Sequence, residues 1–297
     1  MQRRDFIKTS ALASAAAILP WGCVETEFQP KFKLGYQLYS IRDEMQKDPL
    51  VTLKALKAMG YQDFETYGFE LDTNTIYGFA PEDLKDILAE MELTVSSGHY
   101  DFNSLFEVSD AELQNYVAAS IKAAKTIDNS YITWPFIAEP YRNREGYELL
   151  AKKLNMIGKQ VSEAGLGFAF HNHGYEFADV GGLTGYDIIA DQTNPDWVKF
   201  QMDMYWVEHQ GKTSPKELIA KYPGRYVMWH IKDMHKESRD YTELGNGSID
   251  YHSVLPDPDK SGLEYFYIEQ GGNYSISSME SAKFSAAYFK KELQQYL

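Results

Sequence analysis

Eight times along this 297-residue chain a short run rich in β-branched and aromatic residues is followed by a longer stretch with helical periodicity. The runs are Leu34–Tyr39, Tyr61–Thr66, Thr94–Gly98, Tyr131–Trp134, Gly167–Phe170, Val198–Met202, Tyr226–Ile231 and Glu264–Ile268, and their starts lie 27 to 38 residues apart. A unit of that length holds one strand, one helix and two short connections, so consecutive strands run parallel and their helices cross outside the sheet. Tyr147, Leu150, Ala151, Leu154, Ile157, Gly158 and Val161 fall on one helix face, as do Met279, Ala282, Ala286, Phe289 and Leu293 near the C-terminus. Connections such as Glu163-Ala164-Gly165 and Pro223-Gly224 are too short to separate domains. The competing architecture is an open doubly wound sheet. It usually has fewer strands, and its first strand leads into a glycine-rich phosphate loop where this chain has Tyr39-Ser40-Ile41-Arg42. Eight repeats therefore predict an α/β protein folded as a single closed (β/α)8 barrel, a TIM barrel, over residues 24–297.

Residues 1–23 stand outside the repeat and read MQRRDFIKTSALASAAAILPWGC. Arg3 and Arg4 precede Phe6-Ile7-Lys8, and the apolar run from Ala11 to Leu19 is too short to span a bilayer. This is the pattern of a signal peptide, and the arginine pair resembles a twin-arginine export signal, which carries already folded proteins out of the bacterial cytoplasm. Cys23, the only cysteine, follows Gly22 where a lipoprotein would carry its lipid anchor. A lone cysteine permits no internal disulfide. The expectation is an exported bacterial protein, periplasmic or anchored as a lipoprotein at Cys23, with no transmembrane span in its mature part. A homo-oligomer is compatible with this reading.

Acids outnumber bases 43 to 29, for a formal charge of -14, and that field repels phosphate backbones, so nucleic acid is excluded as a partner. Aromatic residues make up 14% of the chain, a share that suits core filling and carbohydrate stacking alike.

In a barrel of this kind chemistry sits where the strands end. The ends are rich in ligand side chains: Glu65 at the end of the second run, His99 after the third, His171-Asn172-His173 with Glu176 after the fifth, Asp203 after the sixth, His230 and Lys232 at the end of the seventh and Glu269 after the eighth. A lone strand-end Asp or His commonly caps a helix or forms an ion pair. Asp203, His230 and Glu269 converging from three strands point instead to a bound cation, and oxygen and nitrogen donors without a thiolate predict one divalent ion, Mn, Mg, Co or Zn. His209, His235 and His252 fall in loops or on helices, where a solvated role is expected.

Phe170-His171-Asn172-His173-Gly174-Tyr175-Glu176-Phe177, Gln201-Met202-Asp203, His230-Ile231-Lys232-Asp233, Leu244-Gly245-Asn246-Gly247-Ser248-Ile249-Asp250 and Ile268-Glu269 resemble, in order, the motifs of the sugar phosphate isomerase/epimerase family with its xylose isomerase-like TIM barrel. The resemblance implies a metal held by a strand-five acid together with Asp203, His230 and Glu269. At the strand-five end this chain has His171 where the epimerases have glutamate. Glu176 is the nearest acid and the expected fourth ligand, with His171 as its substitute. Similar endonucleases gather several zinc ions with further histidines, whereas Met204-Tyr205-Trp206 follows Asp203 here, so one metal is expected.

A hard cation chelating a sugar's carbonyl and neighbouring hydroxyl stabilises an enediolate, and carboxylates flanking the carbon can move its proton. Glu176 and Glu269 are the expected catalytic pair. Glu65, His99, His171, His173 and Lys232 are expected to bind or polarise substrate hydroxyls, with Trp134 and Trp206 stacking on the sugar. The leading expectation is an isomerase or epimerase of an unphosphorylated sugar or keto-sugar. A lyase of the inosose dehydratase kind, expelling water from the same enediolate, and an exported sugar-binding protein without catalysis are the alternatives.

Overall fold

The computed structural model describes residues 30–297, so the predicted signal segment, Arg3, Arg4 and Cys23 among it, lies outside the described residues. Eight parallel strands form the predicted barrel: β1 (Gly35–Gln37), β2 (Asp63–Tyr67), β3 (Thr94–His99), β4 (Tyr131–Trp134), β5 (Gly167–His171), β6 (Lys199–Asp203), β7 (Tyr226–Ile231) and β8 (Tyr265–Ile268). Each pairs with its sequence neighbours, and β1 closes the ring against β8 at Tyr36 and Ile268. That seam requires a residue without a Cβ, since one built on Gly35 would lie 2.0 Å from the Phe266 carbonyl oxygen.

The helices begin where short polar side chains satisfy the free amides of a first turn. Asp48 accepts from Val51 N ahead of Pro49–Met59 and Asn143 from Gly146 N ahead of Arg144–Glu163, while Ser109, Thr184 and Ser214 form capping boxes with Glu112, Asp187 and Glu217. Arg144–Glu163 buries all seven residues of the predicted apolar face. At the C-terminus the helix Ser278–Tyr288 gives way to a π turn at Phe289–Leu293, which keeps Phe289 and Leu293 against the barrel. Among the described residues no helix is long and apolar enough to cross a membrane.

Alternation along the strands divides the core in two. The larger part lies between the sheet and the helices, and a smaller cluster including Tyr131, Ala169, Met228 and Tyr267 packs separately. Thr133, His171, His230 and Glu269 lie two residues further along the same strands and therefore share that inner face at the C-terminal end. Two short ribbons follow the strand ends, Phe69–Glu70 with Thr75–Ile76 and Asp233–Met234 with Tyr241–Thr242, and they bring Phe69 and Tyr241 to the rim of the mouth.

Candidate active site

One wholly buried carboxylate organises the mouth from below. Register shifts interrupt the ladders beside Glu65 on β2 and Gln201 on β6. Glu65 is fully buried and accepts from Gln37 Nε2 (2.6 Å), Ser97 Oγ (2.7 Å), Gln201 Nε2 (2.6 Å) and His230 Nε2 (2.7 Å). Burial pushes the Glu65 carboxyl up, but His99 and His230 beside it outweigh that and hold it well below the usual carboxylate range. It is therefore ionised and only accepts. The Gln201 amide nitrogen must face it, so the amide oxygen faces the two imidazoles bonded to it, His99 Nε2 and His171 Nδ1, each at 2.8 Å. Both ring nitrogens are thus donors, and His171 is left with the lone pair on Nε2 directed towards Asp203 Oδ2, 3.5 Å away. Burial holds His171 well below the usual histidine range, in its neutral, ligating form.

Asp203 serves two ends. Oδ1 caps the helix Met204–Gln210 by accepting from Trp206 N, and Oδ2 receives the Lys232 ammonium at 2.6 Å. The same ammonium lies 2.8 Å from Glu269 Oε2, which also contacts His230 Nδ1. Burial opposes the charge on His230, yet Glu65 on one side and Glu269 on the other bring it to about 9. Lys232 is raised above its ordinary range by Asp203 and Glu269 against the opposing effect of burial. Glu269, pushed up by burial, ends below its ordinary value because Lys232 and His230 are so close. His171, Asp203, His230 and Glu269 place one ligand atom each within 4.8 Å of one another, and His99, His171 and His230 form a second, overlapping group.

Above the cluster opens a cavity of about 520 Å³. Of the predicted site residues His99, His171, His173, Lys232 and Glu269 line it, and aromatic rings including Tyr39, Tyr67, Tyr100, Phe136 and Tyr241 supply the walls.

Other predicted residues sit elsewhere. Glu65 is not at the mouth: β2 runs on to Tyr67, which leaves Glu65 in mid-strand beneath His230. Trp134 is fully buried on the outer side of β4, its ring 5.1 Å from that of Phe102 and its Nε1 bonded to the Phe136 carbonyl, so it faces helices rather than substrate. Trp206 is half-buried against His173 and Tyr205 and is not among the cavity-lining residues. Glu176 lies in the short 3-10 turn Tyr175–Phe177, where its Oε2 folds back to accept from His173 N at 2.9 Å. Burial raises it to about 8, above the usual carboxylate range. The structure groups His171, not Glu176, with Asp203, His230 and Glu269. Gln37, Ser97 and Gln201 were not anticipated, although Ser97 and Gln201 lie two residues before His99 and Asp203 and so share their strand faces.

A closed (β/α)8 barrel with an imidazole–carboxylate cluster at the C-terminal mouth defines the class. A model of the xylose isomerase-like TIM barrel family matches residues 53–290, and the chain belongs to that family. The crystal structure of a sugar phosphate isomerase/epimerase from Parabacteroides distasonis is similar at 25% identity and a TM-score of 0.78, over 91% of this chain and 96% of that one. The IOLI protein, crystallised with a zinc atom, shares the fold with a TM-score of 0.69 at 16% identity, over 90% of this chain and 99% of that one. The inosose dehydratase of Salmonella agona is 26% identical over 158 residues, 47% of this chain and 51% of that protein, so the match spans about half the length of this curated relative.

Proposed function

We propose that the protein is a divalent-metal-dependent isomerase or epimerase acting on an unphosphorylated sugar or keto-sugar. The observation that carries this reading is the continuity of cluster and cavity: His171, Lys232 and Glu269 belong to the buried network and also line the space a substrate would fill. The donor chemistry fits an ion that displaces the proton His230 shares with Glu269, since two imidazoles and two carboxylates converge and the remaining nitrogen of each imidazole is bonded to Gln201 or Glu65. Such an ion, when bound by His171, Asp203, His230 and Glu269, supplies Lewis-acid stabilisation of negative charge on a substrate oxygen.

The remaining chemistry belongs to the side chains. Glu269 is held ionised at the cavity edge and takes the proton from the carbon beside the substrate carbonyl. The Lys232 ammonium donates to a substrate oxygen as charge develops there. His99 and His173 face the cavity and hydrogen-bond hydroxyls, and burial holds His173 at about 3, so it works as a neutral imidazole. Glu176 lies apart from the cavity-lining residues, so Glu269 carries the proton transfer without it. Return of the proton from Glu269 to the neighbouring carbon isomerises the sugar, whereas epimerisation draws a proton from water on the opposite face of the same carbon while Glu269 releases its own to solvent.

The substrate class follows from charge. Lys232 is the one Lys or Arg among the residues lining the cavity, and two carboxylates already hold it. A phosphate would find no arginine and no second lysine there, whereas aromatic walls suit a neutral ring. The likeness to inosose dehydratase supports a second reading, elimination of water from the same enediolate. Incubating the metal-loaded protein with candidate sugars in deuterated water separates the two. Carbon-bound deuterium with retained formula is the expected result. Loss of water assigns the lyase, and the absence of exchange with any sugar overturns both. We also propose that residues 1–23 direct export with a lipid anchor at Cys23, and secretion of the Arg3→Lys/Arg4→Lys variant at the normal level would contradict the twin-arginine route.

A further inference from the structure

We propose that His171 makes this centre selective for a nitrogen-preferring, tetrahedral ion of the zinc or cobalt type over the oxygen-preferring magnesium and manganese. The inference rests on the metal-dependent reading above and goes beyond it by assigning selectivity to one side chain.

Three observations carry it. First, the strand-five donor is an imidazole held in one orientation: Gln201 Oε1 accepts from His171 Nδ1 at 2.8 Å, and Glu65 fixes that amide in turn from 2.6 Å. Only Nε2 is then free to ligate, and imidazole suits zinc, cobalt and nickel where carboxylate and water suit magnesium and manganese. Second, one donor pair has the spacing of a tetrahedral ion, while His230 Nδ1 and Glu269 Oε2, in direct hydrogen-bond contact, part to share it. Two donors bound at about 2.0–2.2 Å and the tetrahedral angle lie about 3.3–3.6 Å apart, against about 3 Å for neighbours on an octahedral ion. His171 Nε2 and Asp203 Oδ2 are 3.5 Å apart. Third, an incoming ion has to compete for the oxygen donors with the Lys232 ammonium, which bridges Asp203 Oδ2 and Glu269 Oε2. A hard ion, which depends on accumulated negative charge, loses more by this than an ion bonded to imidazole nitrogen. The overlapping group of His99, His171 and His230 leads the same way, since neither group brings together three carboxylates.

Zinc outbinds manganese at most nitrogen–oxygen sites, so the decisive quantity is the change between variants rather than the preference of one protein. Chelator-stripped protein is dialysed against equimolar zinc and manganese, and bound metal is counted by mass spectrometry, with circular dichroism confirming the fold. His171→Glu is expected to lower the zinc-to-manganese ratio by about tenfold or more, and Glu176→Gln to leave it unchanged. The cobalt-loaded wild type supplies a readout that needs no variant: intense visible bands of a tetrahedral ion are expected. An unchanged ratio in folded His171→Glu, or the weak bands of octahedral cobalt in the wild type, overturns the assignment. A wild type that retains no metal of any kind overturns the metal-dependent function itself, whereas a manganese-loaded protein that exchanges substrate deuterium leaves that function standing and removes only the selectivity.

Discussion

Replacing Lys232 with methionine keeps most of the side chain's length and apolar stem but removes the one charge that two carboxylates share. The ammonium lies 2.6 Å from Asp203 Oδ2 and 2.8 Å from Glu269 Oε2, with all three side chains nearly or wholly inaccessible to solvent. At an effective dielectric of about 20 each contact is worth roughly 6 kcal/mol before desolvation, and burial of the charges offsets most of that. Removing the cation alone leaves Asp203 and Glu269 facing each other, and breaking a buried pair in this way costs about 3–5 kcal/mol. For a chain of this size that is a fall in Tm of about 6–10 °C. The metal reading adds a second, opposite expectation. With the competing ammonium gone, a divalent ion has sole use of both oxygens, and an ion present at a hundred times its Kd returns about 2.7 kcal/mol. Thermal unfolding followed by circular dichroism, on chelator-treated protein and then with excess zinc, is therefore expected to show a large deficit for Lys232→Met against the chelated wild type, and that deficit shrinks by half or more on adding the ion. Equal Tm values for chelated variant and wild type would refute the ion-pair geometry. A deficit that zinc leaves unchanged would refute the claim that a cation replaces the lysine between these carboxylates.

Gln201→Leu removes the amide that joins Glu65 to His99 and His171; each buried group left unpaired costs about 1–3 kcal/mol, and zinc affinity is expected to fall with stability, both measurable by denaturant unfolding and calorimetry. Trp134→Ala should cost about 3–5 kcal/mol of stability through the cavity it opens against Phe102, yet leave the substrate KM unchanged, and a KM effect without destabilisation would return the ring to the substrate. At the opposite end of the barrel Asp63 accepts from Thr94 at 2.6 Å, and burial raises it from 3.8 to about 6. A carboxyl raised in the folded state stabilises below its unfolded value and loses that contribution as pH rises through the folded one. Relative to Asp63→Asn, the wild type is therefore expected to lose about 2.4 kcal/mol between pH 4 and pH 7 in urea titrations, and parallel stability curves would contradict this.

The barrel was legible because it is written as a rhythm: a strand–helix unit repeated eight times leaves few other closures, and every barrel strand lies within two residues of its predicted bounds. Depth along a strand was harder to read. Glu65 was expected at a strand end, but pairing with β3 extends through Tyr67 and sinks the carboxylate beneath the mouth. Trp134 ends its strand as predicted and still misses the site, since Thr133 takes the inner face, where it bonds Ser97, and alternation turns the next residue outward. The expected role of Glu176 rested on the charge a third carboxylate would add. The turn after β5 buries that carboxyl and folds it back onto His173 N, outside the four-donor group, and no sequence pattern announces such a turn.

The central claim is that one divalent ion lies among His171 Nε2, Asp203 Oδ2, His230 Nδ1 and Glu269 Oε2. Crystals soaked with zinc and measured on both sides of its absorption edge test this most directly, because the anomalous map records the ion independently of the surrounding atoms. The account predicts one strong peak per chain at the centre of those four donors, with the Lys232 ammonium displaced towards the cavity. A peak bound by the Glu176 carboxylate, or no peak at the barrel mouth, would contradict it.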